Sequence, residues 1–312
     1  MSKQRVLVTG GCGFIGSHLV DKLVEQDYLV RVFDNLSSGK LENIQGHLDS
    51  GRVEFVKGDI RKPKLLRKAL AGVDYVFHLA AQISVPLSVK YPSLTFEVNV
   101  SATVHLLRLC YQVGVKKFVF SSSCAVYGNP YGLPVGELEP SDPISPYAES
   151  KMAAENFCLG FFRTGLLKTA VLRFFNVYGP RQAHNDYSGV ITKFIDNSRQ
   201  GKPLVVYGDG SQTRDFVCVY DIVDALVSCL DTENANGEVI NIGSGKATTI
   251  QDLANTIIEL TDSKSEIENK KERKGDIKYS YADITKAKNL IGFNPKVCLK
   301  DGLKGLIEST SK

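Results

Sequence analysis

A doubly wound α/β fold, in which helices cover both faces of a parallel sheet, is the fold class that this sequence predicts. Short runs of branched apolar residues alternate with longer amphipathic stretches. The runs are continuous rather than alternating in polarity, which is typical of strands buried on both faces. A glycine-rich turn joins the first run to the first helical stretch, as in folds that bind a dinucleotide.

The first half of the chain contains six predicted strands, each rich in branched or aromatic residues. They are Arg5–Thr9, Tyr28–Phe33, Val53–Val56, Val73–Leu79, Phe118–Ser121 and Thr169–Phe174. Helical periodicity between the strands predicts Ser17–Glu25, Ser101–Val113 and Tyr147–Phe162. Alternating strands and helices indicate β-α units of the Rossmann type, with the strands parallel.

Beyond Gly179-Pro180 the alternation loosens. The sequence there predicts two short strands, two helices and one charged stretch: Leu204–Tyr207, Val239–Ile242, Ile191–Gln200, Ile250–Leu260 and Lys264–Asp276. We therefore predict a Rossmann domain over residues 1–175 and a smaller mixed α/β substrate-binding lobe over residues 176–312. A segment at about residues 212–245 is expected to return to the first domain.

Composition excludes several classes of protein. A chain of 312 residues with 43% hydrophobic content can bury a sizeable core, and its net charge of +4 lacks the basic, aromatic-rich patch of a nucleic-acid-binding protein. Glycines and Asp21 follow the apolar run Val6–Val8 closely, so we expect neither a signal peptide nor a membrane span. The seven cysteines show no close pair and no metal-ligand spacing, which predicts a reduced, cytoplasmic setting and no metal site.

A glycine-rich turn follows the first predicted strand and opens the first helix. Its residues are Gly10, Gly13, Phe14, Ile15 and Gly16. Glycine allows a tight turn and close approach of the backbone, and the helix N-terminus attracts negative charge. The turn therefore predicts a pyrophosphate site, although the same glycines could merely shape a strand-to-helix turn.

The residues at the end of the second strand identify the dinucleotide. Asp34 can accept hydrogen bonds from the hydroxyls of the adenosine ribose, and its charge would repel a 2′-phosphate. Its neighbours Asn35, Ser37 and Gly39 offer no cationic cluster, although Lys40 follows. NAD is therefore favoured over NADP. Asp59 and Ile60, just after the third strand, are a predicted adenine contact, although an aspartate is also common in turns.

Tyr147 and Lys151 stand four residues apart at the start of a predicted helix, so their side chains share one face. A tyrosine has an ordinary pKa of about 10, but a nearby ammonium and a cationic nicotinamide both favour the phenolate. Tyr147 can then act as a general base. The run Ser121–Ser123 ends a strand, where a hydroxyl could orient the reacting alcohol.

With these motifs in place, the chain resembles the extended short-chain dehydrogenases/reductases, and specifically their UDP-glucose 4-epimerase branch, over nearly its whole length. The matching segments are Thr9–His18, Asp34–Gly39, His78–Gln82, Ser121–Gly128, Ser145–Lys151, Leu172–Gln182, Tyr207–Phe216 and Arg273–Asp276. The resemblance implies that Ser123, Tyr147 and Lys151 are catalytic and that epimerisation passes through a 4-keto sugar. The cofactor is regenerated in each cycle, so it can remain bound.

The resemblance also assigns residues to the two ligands. Besides those above, the cofactor positions are Leu79, Ala80, Ala81, Asn99, Ser121 and Phe175. Arg214 and Arg273 match diphosphate-binding positions, which suits the planar fork of arginine. Further substrate positions are Asn176 near the phosphates, Asp276 at the uridine ribose, and Val190 and Tyr207 around the uracil. His78 is interpreted as structural.

Ser280 aligns with a position that limits the space beside the 2-substituent of the sugar. A serine leaves room for UDP-GlcNAc or UDP-GalNAc besides UDP-glucose and UDP-galactose, although Tyr279 and Tyr281 could refill that space. No carboxylate stands among Cys124–Tyr127, which argues against the related dehydratases and decarboxylases. A UDP-glucuronate 4-epimerase and a non-catalytic dinucleotide sensor stay open as alternatives. The resemblance implies a homodimer through the helices Ser101–Val113 and Tyr147–Phe162.

Overall fold

The computed structural model of this chain describes residues 3–182, 189–272 and 277–310. In chain order, the strands are β1 Arg5–Thr9, β2 Leu29–Asp34, β3 Val53–Lys57, β4 Tyr75–His78, β5 Lys117–Ser123, β6 Thr169–Phe174, β7 Asn176–Tyr178, β8 Leu204–Tyr207, β9 Thr213–Arg214, β10 Phe216–Cys218, β11 Val239–Ile242, β12 Thr248–Thr249 and β13 Ile267–Lys270.

The α-helices lie between and after these strands. They are α1 Phe14–Glu25, α2 Gln45–Asp49, α3 Pro63–Ala69, α4 Val85–Lys90, α5 Pro92–Phe96, α6 Ala102–Val113, α7 Pro146–Arg163, α8 Val190–Arg199, α9 Val219–Ser228, α10 Ile250–Leu260, α11 Thr285–Ile291 and α12 Leu299–Ser309. A turn of π-helix over Glu97–Ser101 leads into α6. No helix in the described ranges is long and apolar enough to cross a membrane.

Seven strands form one parallel sheet in the order β11-β6-β5-β4-β1-β2-β3. Alternate residues of β1 pack on opposite sides: Val6 and Val8 join one core, and Leu7 joins the other. The predicted doubly wound sheet is therefore confirmed. Because β1 lies between β2 and β4, the chain order reverses beside β1, and a crevice opens there at the carboxyl ends of the strands.

A smaller lobe has its own core, built from α8, α10, α12 and the strand β8. Phe194, Leu253 and Leu303 are buried at its centre. The strand β13 pairs in parallel with β8 inside the charged stretch, where the sequence pattern predicted no strand. The strand β11 also comes after residue 176 in the sequence, but it lies in the central sheet beside β6 and not in the smaller lobe.

Most predicted elements are present, and several bounds are confirmed as predicted, including those of β1, β6 and α10. The second strand is displaced by one residue, because Tyr28 belongs to the turn after α1 and Asp34 stays in the ladder opposite Lys57. The first helix begins at Phe14 rather than Ser17, because Gly13 already adopts the extended backbone of an N-cap. Most of the remaining predicted elements end within one or two residues of their predicted bounds.

Candidate active site

The glycine turn is packed too tightly for side chains at two positions. Gly10 has a φ of 72°, and a Cβ there would stand 2.8 Å from the backbone nitrogen of Ala80. A Cβ on Gly16 would stand 2.1 Å from the carbonyl oxygen of Gly10. The first amides of α1 have no partner within the helix, so a phosphate can bind where the turn leaves room.

Asp34 is held at the rim of this turn by backbone groups alone. Its carboxylate accepts hydrogen bonds from the amides of Cys12, at 3.0 Å, and Leu36, at 2.8 Å. Gly39 packs on Cys12 so closely that a Cβ would stand 2.7 Å from the carbonyl carbon of that residue. A carboxylate has about four lone-pair sites, so capacity remains for ribose hydroxyls.

A cation that the sequence analysis missed lies beside the predicted adenine contact. Arg61 forms an ion pair with Asp59 at 2.7 Å, and the hydrogen bond from Arg61 holds the pKa of Asp59 below its usual range. Glu97 also lies 3.7 Å from the Arg61 guanidinium. Two carboxylates thus balance this cation, which keeps the region unfavourable for a 2′-phosphate. Ile60 is buried in the core below.

The loop that follows β4 brings Leu79, Ala80 and Ala81 to the edge of the same crevice. The amide of Ala80 donates to Thr9 Oγ1 at 3.3 Å. Asn99 is buried behind this loop, and its side chain bonds both backbone groups of Gln82, at 2.7 and 2.9 Å. Its amide also donates to Ser150 Oγ on α7 at 2.9 Å. These contacts hold the loop against α7. Asn99 therefore acts on the cofactor site by fixing the position of this loop.

Three predicted catalytic side chains meet where β5 ends beside the start of α7. Ser145 caps this helix by accepting from the amide of Ala148 at 3.2 Å. Lys151 is 4% exposed and donates to the carbonyl oxygen of Ser121 at 2.8 Å. Tyr147 is half-buried, and Ser123 lies close enough to influence the pKa of its phenol. The structure thus brings together the hydroxyl, phenol and ammonium that the sequence pattern singled out.

Burial shifts the pKa of both ionisable groups here. It raises the pKa of Tyr147 to about 12, against the opposing effect of Ser123. It lowers the pKa of Lys151 to about 8, against the opposing effect of Glu155. Burial thus favours the neutral phenol in the protein alone, whereas the expectation that Lys151 and a cationic nicotinamide together favour the phenolate concerns the NAD-bound protein. A cationic nicotinamide supplies the missing stabilisation when NAD is bound.

Most predicted substrate residues surround the strands β7, β9 and β10. Asn176 begins β7 and pairs with Phe216, while Arg214 ends β9 and donates to the carbonyl oxygen of Thr213 at 2.8 Å. The amide of Ser280, a buried residue, donates to the same carbonyl oxygen at 3.2 Å. Val190 opens α8 and Tyr207 ends β8. Arg273 and Asp276 lie outside the described residues.

Asp215 organises this side of the site, and it was not among the predicted site residues. It is fully buried, and its carboxylate accepts from the amides of Ser244, Gly245 and Ala282 and from the Ser244 hydroxyl at 2.6 to 3.0 Å. Burial nevertheless raises its pKa. The carboxylate thus joins three separate segments around Arg214. The motif Arg214-Asp215 was visible in the sequence, but its partners were not.

His78 is structural in this fold, as interpreted from the sequence. Its two ring nitrogens lie 2.7 Å from Thr9 Oγ1 and 2.9 Å from Thr103 Oγ1. Complete burial lowers its pKa to about 3. The other predicted cofactor residues here are equally enclosed: Ser121 donates to the His78 carbonyl oxygen at 3.2 Å, and Phe175 packs beside Tyr127. In the described ranges, no group of three His, Cys, Asp or Glu residues is suited to a metal.

Comparison with known proteins decides the family. The model of the NAD dependent epimerase/dehydratase family matches residues 6–243, which is more than half of the chain. The chain belongs to this family. Its cofactor is therefore NAD, and the predicted Rossmann fold and short-chain dehydrogenase/reductase membership are confirmed.

The most similar family members differ in substrate. A putative UDP-glucose 4-epimerase of Methanocaldococcus jannaschii is 41% identical over 304 residues, or 97% of each chain. The UDP-N-acetylglucosamine 4-epimerase of Methanobrevibacter ruminantium, in complex with UDP-N-acetylmuramic acid, has a TM-score of 0.94 at 40% identity, covering 100% of this chain and 99% of that one. UDP-glucuronic acid decarboxylase 4 of Arabidopsis thaliana is 36% identical over 310 residues, covering 97% of this chain and 68% of that protein.

Proposed function

We propose that this protein is a UDP-hexose 4-epimerase that interconverts UDP-glucose and UDP-galactose and also accepts UDP-GlcNAc and UDP-GalNAc. The observation that carries the proposal is the meeting of Ser123, Tyr147 and Lys151 at the carboxyl end of β5, two strands along the sheet from the strand that the glycine turn follows. It places a hydroxyl, a proton acceptor and a cation at the edge where a dinucleotide ends. The epimerases among the relatives support the same reaction.

The residues of the chain have separate tasks in this reaction. Ser123 orients the 4-hydroxyl of the sugar, and Tyr147 takes its proton and later returns it. Lys151 keeps a positive charge near the phenol, which favours the phenolate. Bound NAD would supply the reversible exchange of hydride with carbon 4 of the sugar. The resulting 4-keto sugar turns over between the two transfers, so both faces of carbon 4 are presented in turn.

The nucleotide must be held while the hexose turns. Arg214 is assigned to the diphosphate, because its guanidinium can make charge-assisted, bidentate hydrogen bonds. Asn176 is assigned to the phosphates, and Val190 and Tyr207 to the uracil. Arg273 and Asp276 keep their proposed roles at the diphosphate and the uridine ribose. Ser280 is the assigned neighbour of the 2-substituent, and its small side chain suits an N-acetyl group.

Decarboxylation and dehydration require an additional proton shuttle near carbon 4 or 5. The turn Cys124–Tyr127 that follows Ser123 carries no carboxylate. Asp215 is close enough to contribute to the raised pKa of Cys124, but it is fully buried and already accepts four hydrogen bonds. We therefore favour epimerisation over the reaction of the decarboxylase relatives. A UDP-glucuronate 4-epimerase remains the second candidate, because it uses the same three catalytic groups.

We also propose that the protein is a homodimer. Large apolar side chains are exposed on the adjoining surfaces of α5, α6 and α7, including Phe96, Tyr111 and Phe157. Exposed apolar surface on neighbouring helices is typical of a subunit interface. Sedimentation at several protein concentrations measures the mass, and a monomer at every concentration would contradict the proposal.

Proton NMR of product mixtures tests the reaction directly. The purified protein, without added reductant, is incubated separately with UDP-glucose, UDP-GlcNAc and UDP-glucuronate. We expect galacto-configured products from the first two. Conversion of UDP-glucuronate alone to a galacto-configured product would replace the proposal with the second candidate, and loss of its carboxylate would identify a decarboxylase. Intact substrates in every tube, with NAD bound, would favour the sensor.

The variant Tyr147→Phe connects the reaction to the site. We expect kcat to fall by about 10²- to 10⁴-fold, because the proton acceptor is lost while the ring remains. The control Tyr131→Phe removes a hydroxyl from an exposed tyrosine and should leave kcat unchanged. Equal activity of the two variants would show that Tyr147 is not the base.

A further inference from the structure

Glu155 is a buried carboxylate that lies one helical turn after Lys151 on α7. It is 2% exposed. Its oxygens accept hydrogen bonds from Arg173 on β6, from Nε at 3.0 Å and from Nη2 at 2.7 Å. The Ser122 hydroxyl on β5 donates to the same carboxylate. A charge this deep in the protein is costly unless it is paired and hydrogen-bonded, and here it is both.

The Ser122 contact joins Glu155 to the catalytic end of β5. Ser122 stands between Ser121, whose carbonyl oxygen accepts from Lys151, and Ser123, which lies close enough to Tyr147 to influence the pKa of its phenol. The Glu155 carboxylate therefore connects Ser122, at the end of β5, to α7, the helix that carries both Tyr147 and Lys151. A shift of Ser122 would move both catalytic contacts together.

Glu155 also sets the charge balance around the Lys151 ammonium. Burial disfavours the charged form of Lys151, and Glu155 is the largest influence that opposes it. The other ionisable groups that face it are neutral at pH 7. Cys158 on α7 has a raised pKa, His78 on β4 has a pKa of about 3, and Tyr147 has a raised pKa.

Arg173 pairs with this carboxylate from the side of the sheet. Its guanidinium lies 4.7 Å from the ring centroid of Tyr127, and its contact with Glu155 is bidentate. Such a pair makes the geometry of the carboxylate specific.

We propose that Glu155 is a positioning residue for the reaction: supported by Arg173, it fixes the serine strand end against α7 and keeps Lys151 charged. This role rests on the proposed function in one respect: Tyr147 must be the catalytic base whose phenolate the charge of Lys151 favours. Glu155 itself touches neither ligand.

The first test replaces the charge and keeps the shape, with Glu155→Gln. Two quantities are measured: the titration of Lys151 by NMR of protein labelled with ¹³C at lysine Cε, and the pH profile of kcat. The Lys151 signal is assigned by its absence in Lys151→Met. We expect Lys151 to titrate about one pH unit lower, and the alkaline limb of kcat to move with it. At pH 8, where about half of the wild-type Lys151 is charged, kcat falls about fivefold while KM stays within about twofold.

A second variant, Glu155→Gln with Arg173→Met, separates positioning from mere structural support. It leaves no unpaired charge in the core, and such replacements of a buried ion pair are often neutral for stability. If Glu155 only fills and stabilises the core, the titration of Lys151 and the alkaline limb return to their wild-type positions. If the proposal holds, both stay lowered. The double variant also carries the test if Glu155→Gln does not fold.

The matched control is Glu54→Gln. Glu54 also pairs with an arginine of the central sheet, Arg31, at 2.7 Å, but on β2 and β3. Its loss should leave Lys151 and kcat unchanged. A wild-type titration of Lys151 in folded Glu155→Gln would overturn the proposal. A lowered titration in a protein that converts no UDP-sugar would overturn the proposed function and leave the role of Glu155 standing.

Discussion

Two buried aspartates, Asp34 and Asp215, show how differently the two sides of the site are built. Asp34 is 8% exposed and accepts two backbone hydrogen bonds, from residues 2 and 22 positions away. Asp215 is 0% exposed and accepts four, from residues 29, 30 and 67 positions away. Asp34 can therefore still accept hydrogen bonds from a ligand, whereas Asp215 uses its acceptor positions for hydrogen bonds within the protein.

The difference teaches that the cofactor side is largely local and the substrate side is not. The cofactor turn is built from β1, α1 and β2, which are consecutive in the chain. Arg214 instead stands on β9, and β9 pairs with β12, while the adjacent Asp215 is bonded by Ala282. Loss of the carboxylate on the first side should therefore mainly affect NAD, and loss of the carboxylate on the second side should affect folding and the sugar nucleotide together.

The largest expected effect is that of Gly16→Ala, which tests whether the cofactor turn depends on close backbone packing. The added Cβ would stand 2.1 Å from the Gly10 carbonyl oxygen. The other nearest atoms belong to the backbone of Gly10 and Gly11, which cannot move aside as a flexible side chain can. We expect a loss of about 3 kcal/mol in the free energy of unfolding and no retained NAD. Urea unfolding and the absorbance of released cofactor measure the two effects.

The control for this variant is Gly305→Ala, also within a helix, where an added Cβ meets nothing within 4 Å. There we expect stabilisation of up to about 1 kcal/mol, because alanine favours the helix. Equal stability of the two variants would contradict the packing described for the turn.

Next in size is the contrast between Asp215→Asn and Asp34→Asn. In Asp215→Asn, one carboxylate oxygen is replaced by an NH2 group, which cannot accept the hydrogen bonds that the neighbouring amides donate. Water cannot reach these buried amides, so we expect a loss of about 2–3 kcal/mol in the free energy of unfolding. Asp34→Asn should lose about 1 kcal/mol, because water can reach its rim position, and should weaken NAD binding by about tenfold. Calorimetric titration with NAD and urea unfolding give both quantities. A larger loss of stability in Asp34→Asn than in Asp215→Asn would contradict the difference described between the two sides.

The effect that is smallest at pH 7 appears only in acid, and it asks whether the fully buried His78 stays neutral in the folded protein. Burial lowers the pKa of folded His78 to about 3, whereas the unfolded chain takes up this proton near pH 6.5. Stability is therefore lost as the pH falls through the window from about 6.5 to 3, by up to about 1.4 kcal/mol per pH unit.

His78→Gln should remove that part of the acid dependence, as measured by urea unfolding at pH 7, 6 and 5. The control His105→Gln, exposed on α6, should retain the wild-type slope. If His78→Gln also retains the wild-type slope, then His78 is protonated in the folded protein.

Much of the cofactor side could be predicted because its signals are short-range. The spacing of Gly10, Gly13 and Gly16 and the position of Asp34 after a buried strand required no knowledge of distant residues. The helical spacing of Tyr147 and Lys151 was equally visible. Asp215 was missed as a site-forming residue because its partners Ser244 and Ala282 became neighbours only on folding. Arg61 stands two residues after Asp59, so that pair was already visible in the sequence.

The sequence by itself determined the parallel sheet, the dinucleotide turn and the shared helix face of Tyr147 and Lys151, since each follows from a periodicity or a spacing. Only the tertiary structure decided the ionisation of that pair. Burial raises the pKa of Tyr147 and lowers that of Lys151, and Glu155 counters the shift of Lys151 from a position fixed by Arg173 and Ser122. Desolvation depends on every segment that packs around a group, so no local pattern records it.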